Sequence, residues 1–136
     1  DKWKAYGQSK TANALFAVAL DKRGHADGVR AFSAHPGSIM SDLARFMSED
    51  EKRAVTGEFK TAEQGAATSV WCATSVQLDG KGGVFCLDAD IAEVVQPVAL
   101  KGLDQALTGV LPWAVDSELA ERLWVLSEEL TGVKVC

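Results

Sequence analysis

From roughly Lys4 to Lys22 the chain reads as a helix that is apolar on nearly every side, and this feature narrows the fold more than any other. Ala12, Leu15, Phe16, Ala19 and Leu20 occupy the i, i+3, i+4, i+7 and i+8 positions of one stripe. Ala14, Ala17 and Val18 make the opposite side apolar too. A helix of this kind is buried on more than one side, so it must pack on a sheet and also against a second layer, such as another subunit. Its polar exceptions, Tyr6, Lys10 and Asn13, sit near its start on neighbouring turns of one side. Gly24 ends the helix, and His25-Ala26-Asp27-Gly28 reads as a loop.

A short strand follows over Val29–Ala34, closed by His35-Pro36-Gly37. A helix, a brief loop and a strand make up the repeating unit of a parallel α/β sheet. Ligands of such sheets sit beyond the carboxyl ends of the strands, where Pro36-Gly37 exposes backbone groups. His35 has no carboxylate partner in view, and a structural role is expected for it. Residues 38–54 suggest a short amphipathic helix and an exposed, charged turn, serving either as a solvated connection or as a flap over a pocket. Thr61–Ser75 is a second helix, with Thr61-Ala62-Glu63-Gln64 as its capping box. Gly80-Lys81-Gly82-Gly83 is a turn and Val84–Leu87 a second buried strand. Asp88, Asp90 and Glu93 crowd the end of that strand without the spacing of a calcium loop, so no metal site is expected. Pro97, Gly102, Gly109 and Pro112 interrupt residues 92–114, and Asp116 to Thr131 forms a terminal helix, capped by Asp116 or Ser117 and stopped by Gly132.

The chemistry is concentrated in Tyr6 and Lys10. Four residues apart, they share one helix face. A phenol is a poor base at neutral pH, and a nearby positive charge favours the phenolate, so the pair can work as an acid/base device. Taken alone, such a pair is also what a solvated surface helix shows.

Composition excludes some partners. The net charge of −5 argues against a nucleic-acid surface, and no apolar run approaches the length of a membrane span. Cys72, Cys86 and Cys136 form no C-x-x-C pair and have no histidine at metal-ligand spacing. They suit a reducing compartment, with Cys72 and Cys86 as small buried hydrophobes. A cytoplasmic location is therefore expected.

Tyr6-Gly7-Gln8-Ser9-Lys10 opening a helix, and Ala34-His35-Pro36-Gly37-Ser38-Ile39-Met40-Ser41 closing the next strand, resemble the short-chain dehydrogenases/reductases. The likeness is to the group related to retinol dehydrogenases and protochlorophyllide reductase. It continues through Glu63–Ala67, Gly83–Glu93 and Ala120–Trp124. The resemblance implies a doubly wound, Rossmann-like α/β domain that binds NAD or NADP and acts on a small alcohol or carbonyl substrate. It implies Tyr6 as the proton donor or acceptor, and Lys10 as the residue that binds the nicotinamide ribose and lowers the phenol pKa. Pro36, Gly37 and Ile39 would line the nicotinamide pocket, and Ser41 would stand where the family usually has Thr. Residues 42–60 would form the substrate lid. Self-association through the first helix, the Thr61–Ser75 helix or both is expected, because the first is apolar on the side away from the sheet, the second is rich in Gly and Ala, and family members often pair through these helices.

The family's glycine-rich first turn, Asn-Ala-Gly segment and catalytic serine have no counterpart in these 136 residues. Gly80–Gly83 leads into a strand, not into a helix N-terminus, and cannot replace the first of these. The expectation is the carboxyl-terminal half of one dehydrogenase domain, inactive alone. Its rival is a non-catalytic remnant that serves as a binding or assembly module.

Overall fold

The computed structural model describes residues 1–39, 45–54, 59–97 and 108–134. Helix α1, Lys2–Gly24, is two residues longer at each end than the sequence suggested, and at its start Asp1 caps it by accepting from the Trp3 amide at 2.9 Å. A single 3₁₀ turn and Gly28 lead to β1, which is Phe32–His35 and not Val29–Ala34. The shift has a local cause. The Ala31 amide donates to the Asp21 carboxylate at 3.0 Å, and Arg30 turns back to the same carboxylate through Nε at 2.9 Å and Nη2 at 3.0 Å. The chain therefore becomes a strand only after these groups are spent.

The expected exposed turn is itself helical: α2 is Glu49–Ala54. Ser48 Oγ accepts from the Glu51 amide at 3.2 Å, and the Glu51 carboxylate accepts from the Ser48 amide at 2.7 Å, a capping box that the sequence reading passed over. Helix α3, Ala62–Thr74, starts as expected, with Thr61 and Gln64 capping each other's amides. Strand β2 is Val84–Leu87, and β3, Asp90–Ile91, was not anticipated. The strands lie in the order β1-β2-β3, with β1 parallel to β2 (Phe32 opposite Val84, His35 opposite Leu87) and β3 antiparallel to β2. Asp88 and Ala89 join β2 to β3 with φ of 53° and 56°. Two positive φ values make the tight hairpin turn that suits the sheet's twist, at a cost of about 1–2 kcal/mol for each non-glycine residue. Buried Thr68 on α3 helps hold the turn by accepting from the Ala89 amide at 3.1 Å. Without a glycine or asparagine, this turn gave no sequence signal. Residues 92–97 and 108–114 contribute a bridge between Val94 and Val110 and one 3₁₀ turn. Helix α4, Ser117–Thr131, is capped by Asp116 and ends at Gly132 in the left-handed conformation.

The architecture is mixed α/β with a small sheet. The second layer demanded by α1 comes from this same chain: Leu15 and Ala19 are buried against Ala120 and Trp124 of α4. Phe16 stacks on Trp124 with ring centroids 5.3 Å apart. The Arg23–Glu121 ion pair at 2.6 Å borders this seam, but both side chains are partly exposed, and such pairs contribute about 0–1 kcal/mol. Removing a buried Trp costs about 3–5 kcal/mol, so Trp124 dominates the seam. On its sheet side, Ala14 packs near Phe85, and Val18 and Asp21 approach Gly83. Cys86 is fully buried, and burial together with neighbouring Cys72 pushes its thiol up to about 12. Cys136 lies outside the described residues.

Asp21 is the buried charge on which this packing turns. Burial alone would raise its pKa, but the bonds from Arg30 and the Ala31 amide outweigh that and leave it below 3.8. A carboxylate so depressed contributes stability that is complete above pH 3.8 and is lost as pH falls through the lower folded value. Asp21→Asn should destabilise the protein by about 2 kcal/mol, read as a lowered melting temperature, and should flatten the acid limb of its stability profile.

Candidate active site

The direction of α1 decides where Tyr6 and Lys10 stand. Going backwards along α1, Asp21 meets Gly82, Val18 meets Gly83 and Ala14 belongs to the cluster on which Phe85 packs, so the helix runs antiparallel to β2 and its start rises toward the carboxyl ends of the strands. At 1.5 Å per residue, Lys10 and Tyr6 lie about 16 and 22 Å above Asp21. A four-residue strand spans only about 13 Å. Both side chains therefore stand at or beyond the carboxyl edge of the sheet. All of the first ten residues are exposed, and Tyr6 retains 43% of its surface. The Lys10 ammonium lies 5.2 Å from the centre of the Tyr6 ring. The Trp3 ring meets Tyr6 edge-on from the other side, at 6.2 Å and 83°. Asn13 is exposed one turn further on.

The end of β1 forms the second part of the candidate site. His35 Nδ1 accepts from the Gly37 amide at 2.9 Å, which places the ring proton on Nε2 and gives His35 a structural task. Gly37 has φ of 85°, and a Cβ there would fall 2.6 Å from Lys60 Cδ, so both backbone and space require glycine. Lys60 closes this corner, because its amide donates to the Ser38 carbonyl at 2.8 Å and its ammonium pairs with Asp88. Ile39 bridges to Lys60 and packs on Gly65 of α3, where a larger residue would collide with it. Pro36 is exposed at the turn. Ser41 lies outside the described residues, as do 42–44 and 55–58 of the expected lid.

Sequence reasoning missed Lys60, Asp88, Glu51 and Trp3. Only the Ser48-to-Glu51 capping spacing was there to be read, since the other contacts are long-range. Among the described residues, no three His, Cys, Asp or Glu side chains are placed to hold a metal ion. No helix among them is long and apolar enough to cross a membrane. A groove of about 620 Å³ runs elsewhere, between Arg30, Phe32 and Ala34, alternate residues on one face of β1 and its lead-in, and the end of α3 at Cys72 and Ser75. Tyr6, Lys10, Pro36, Gly37 and Ile39 do not line it.

The pKa of His35 is held below 6.5 by burial first and by the Lys60 ammonium second, against an opposing pull from Asp88. The neutral ring therefore stabilises the fold fully above pH 6.5. As pH falls toward the folded value, the unfolded chain takes up the proton first and this contribution is lost. Lys60→Met should raise the His35 pKa and Asp88→Asn should lower it, both followed by NMR titration of the imidazole. Unmoved titrations would remove Lys60 and Asp88 from the environment of His35.

No protein-family model matches the chain. Among curated proteins, a probable oxidoreductase of Streptomyces antibioticus is 38% identical over 135 residues, covering 91% of this chain and 43% of its own length. Short-chain dehydrogenase/reductase prx1 of Penicillium roqueforti is 35% identical over 139 residues, covering 98% of this chain and 39% of its own length. Human retinol dehydrogenase 12 is 36% identical over 132 residues, covering 96% and 37%. The chain thus spans about two fifths of the length of these relatives. Over nearly all of its own length, the chain belongs with the short-chain dehydrogenases/reductases.

Proposed function

We propose that the protein is an oxidoreductase that transfers a hydride between NAD or NADP and an alcohol or carbonyl substrate. The observation that carries this reading is the pairing of Tyr6 and Lys10 on one exposed face of α1, above the carboxyl edge of the sheet. Reduction of a carbonyl needs a proton at oxygen as hydride reaches carbon, and oxidation of an alcohol needs that proton removed. The Tyr6 phenol is the donor and acceptor in this reading. The Lys10 ammonium, 5.2 Å from the ring centre, offsets negative charge developing on the phenol oxygen.

Two exposed polar side chains on one face of α1 at the carboxyl edge of the sheet, and a left-handed glycine at the carboxyl end of a parallel strand, fit a nicotinamide ribose and its ring. Lys10 would hold the ribose hydroxyls, and Pro36, Gly37 and Ile39 would line the ring's pocket, with Ser41 close by in sequence. When bound, the nicotinamide supplies or takes the hydride. The substrate is a small molecule, and a cytoplasmic location belongs to the same reading.

These 136 residues serve in this reading as the carboxyl-terminal part of one Rossmann-like domain, whose nucleotide-binding half lies elsewhere in the protein. In support, β1 pairs only with β2 among the described residues. An unpaired edge strand of this kind is suited to receive another strand. Trp3, Phe16 and Val70 remain exposed on α1 and α3, which favours further packing there, by the missing half or by a second copy of the protein.

In parallel assays, the full-length protein should turn over substrate and the 136-residue segment alone should not. Tyr6→Phe should abolish turnover in the full-length protein while cofactor binding stays nearly intact. Lys10→Met should weaken both. Substantial activity in Tyr6→Phe would take Tyr6 out of the mechanism.

A further inference from the structure

The Glu51 carboxylate on α2 gathers hydrogen bonds from α1 and from the Ser48 cap of its own helix. Its Oε2 accepts from Lys2 Nζ at 2.9 Å and from the Ser48 amide at 2.7 Å, and its Oε1 accepts from Trp3 Nε1 at 2.7 Å. Lys2 also reaches the Phe46 carbonyl at 3.4 Å, and its ammonium lies 5.2 Å from the Trp3 ring. The Lys2 bond, with the Ser48 and Trp3 bonds behind it, pulls the Glu51 pKa down to about 2, so the carboxylate is charged at any working pH.

Lys2 and Trp3 precede Tyr6 by four and three residues, so all three project from one side of α1, the side that also carries Lys10. The Tyr6 ring is held between the edge-on Trp3 indole at 6.2 Å and the Lys10 ammonium at 5.2 Å. An exposed Trp at the first turn of a helix would otherwise sample several rotamers. The bond from Nε1 to Glu51 selects one, and with it the surface against which the phenol rests.

We propose that Glu51 is a positioning residue for the Tyr6 phenol, acting through Trp3, an inference that rests on the reading of Tyr6 as the acid/base group. Proton transfer needs the donor within about 2.6–3.2 Å of the reacting oxygen. A phenol that drifts by an ångström loses much of its rate, about 100-fold in unfavourable cases. The same link fastens α2 to the face of α1 that carries Tyr6.

The test uses the full-length protein with Glu51→Gln, Trp3→Phe and the double variant. The amide of Gln replaces one acceptor oxygen with a donor, so it cannot serve all three hydrogen bonds. Phe keeps the ring beside Tyr6 and removes only the Nε1 donor. Each single variant should lower kcat about tenfold, with cofactor Kd changed less than about twofold and the melting temperature unchanged. The double variant should be no slower than the slower single variant, because both changes break one link. Additive losses in the double variant, or wild-type kcat in both singles, would overturn the inference. So would losses of kcat matched by losses of thermal stability. Tyr6→Phe measured alongside separates the two levels. An inactive Tyr6→Phe with unaffected Glu51 and Trp3 variants defeats only the positioning role, whereas an active Tyr6→Phe defeats the acid/base reading itself.

Discussion

The structure depends first on one buried carboxylate. Asp21 sits in the last turn but one of α1 and grips Arg30 and the Ala31 amide, which together set the point where β1 begins. A Cβ at Gly82 would collide with the same carboxylate, so the turn before β2 closes over it, and the Gly83 amide donates to the Ala31 carbonyl at 2.8 Å. One ion pair thereby fixes the helix, both parallel strands and their relative height. A buried charge is costly unless its bonds are satisfied, which makes this arrangement specific: sliding α1 by one turn would strand Asp21 in an apolar wall.

The position of the candidate site follows from that height. Once Asp21 is set at the amino ends of the strands, the rise of the helix carries Tyr6 and Lys10 to the carboxyl ends without further adjustment. Trp124 on α4 holds the outer side of α1 at mid-length, through Leu15, Ala19 and Phe16. Glu51 ties down its beginning. Lys60 plays the corresponding part at the end of β1, with its stem against Gly37 and its ammonium on Asp88 at the strained β2–β3 turn. Three attachments thus bring separate pieces of sequence to one edge of the sheet.

Features written in local chemistry were legible in the sequence. The capping box of Thr61 and Gln64, the stop at Gly132 and the Val84–Leu87 strand each depend on a few adjacent residues, and each was found where it was read. The start of β1 was misplaced because Val29 and Ala31 look like strand residues, while the amide of Ala31 is claimed by a carboxylate ten residues away. The β2–β3 hairpin was invisible because Asp88-Ala89 is not a turn sequence by propensity and is held by Thr68 from another helix. The apolar second side of α1 was legible, but not the identity of what covers it. Tyr6 and Lys10 were named from their spacing and Pro36 and Gly37 from the family resemblance, whereas Glu51, Trp3 and Lys60 matter through contacts across 23 to 49 residues.

We propose that hydride and proton meet at the Tyr6–Lys10 face of α1. A crystal structure of the full-length protein with NAD or NADP bound tests it most directly. Lys10 Nζ is expected within about 3 Å of a nicotinamide ribose hydroxyl, with the nicotinamide ring between the Pro36–Ile39 turn and the Tyr6 phenol. A nicotinamide ring bound in the groove beside β1, or anywhere out of reach of Tyr6, would contradict it.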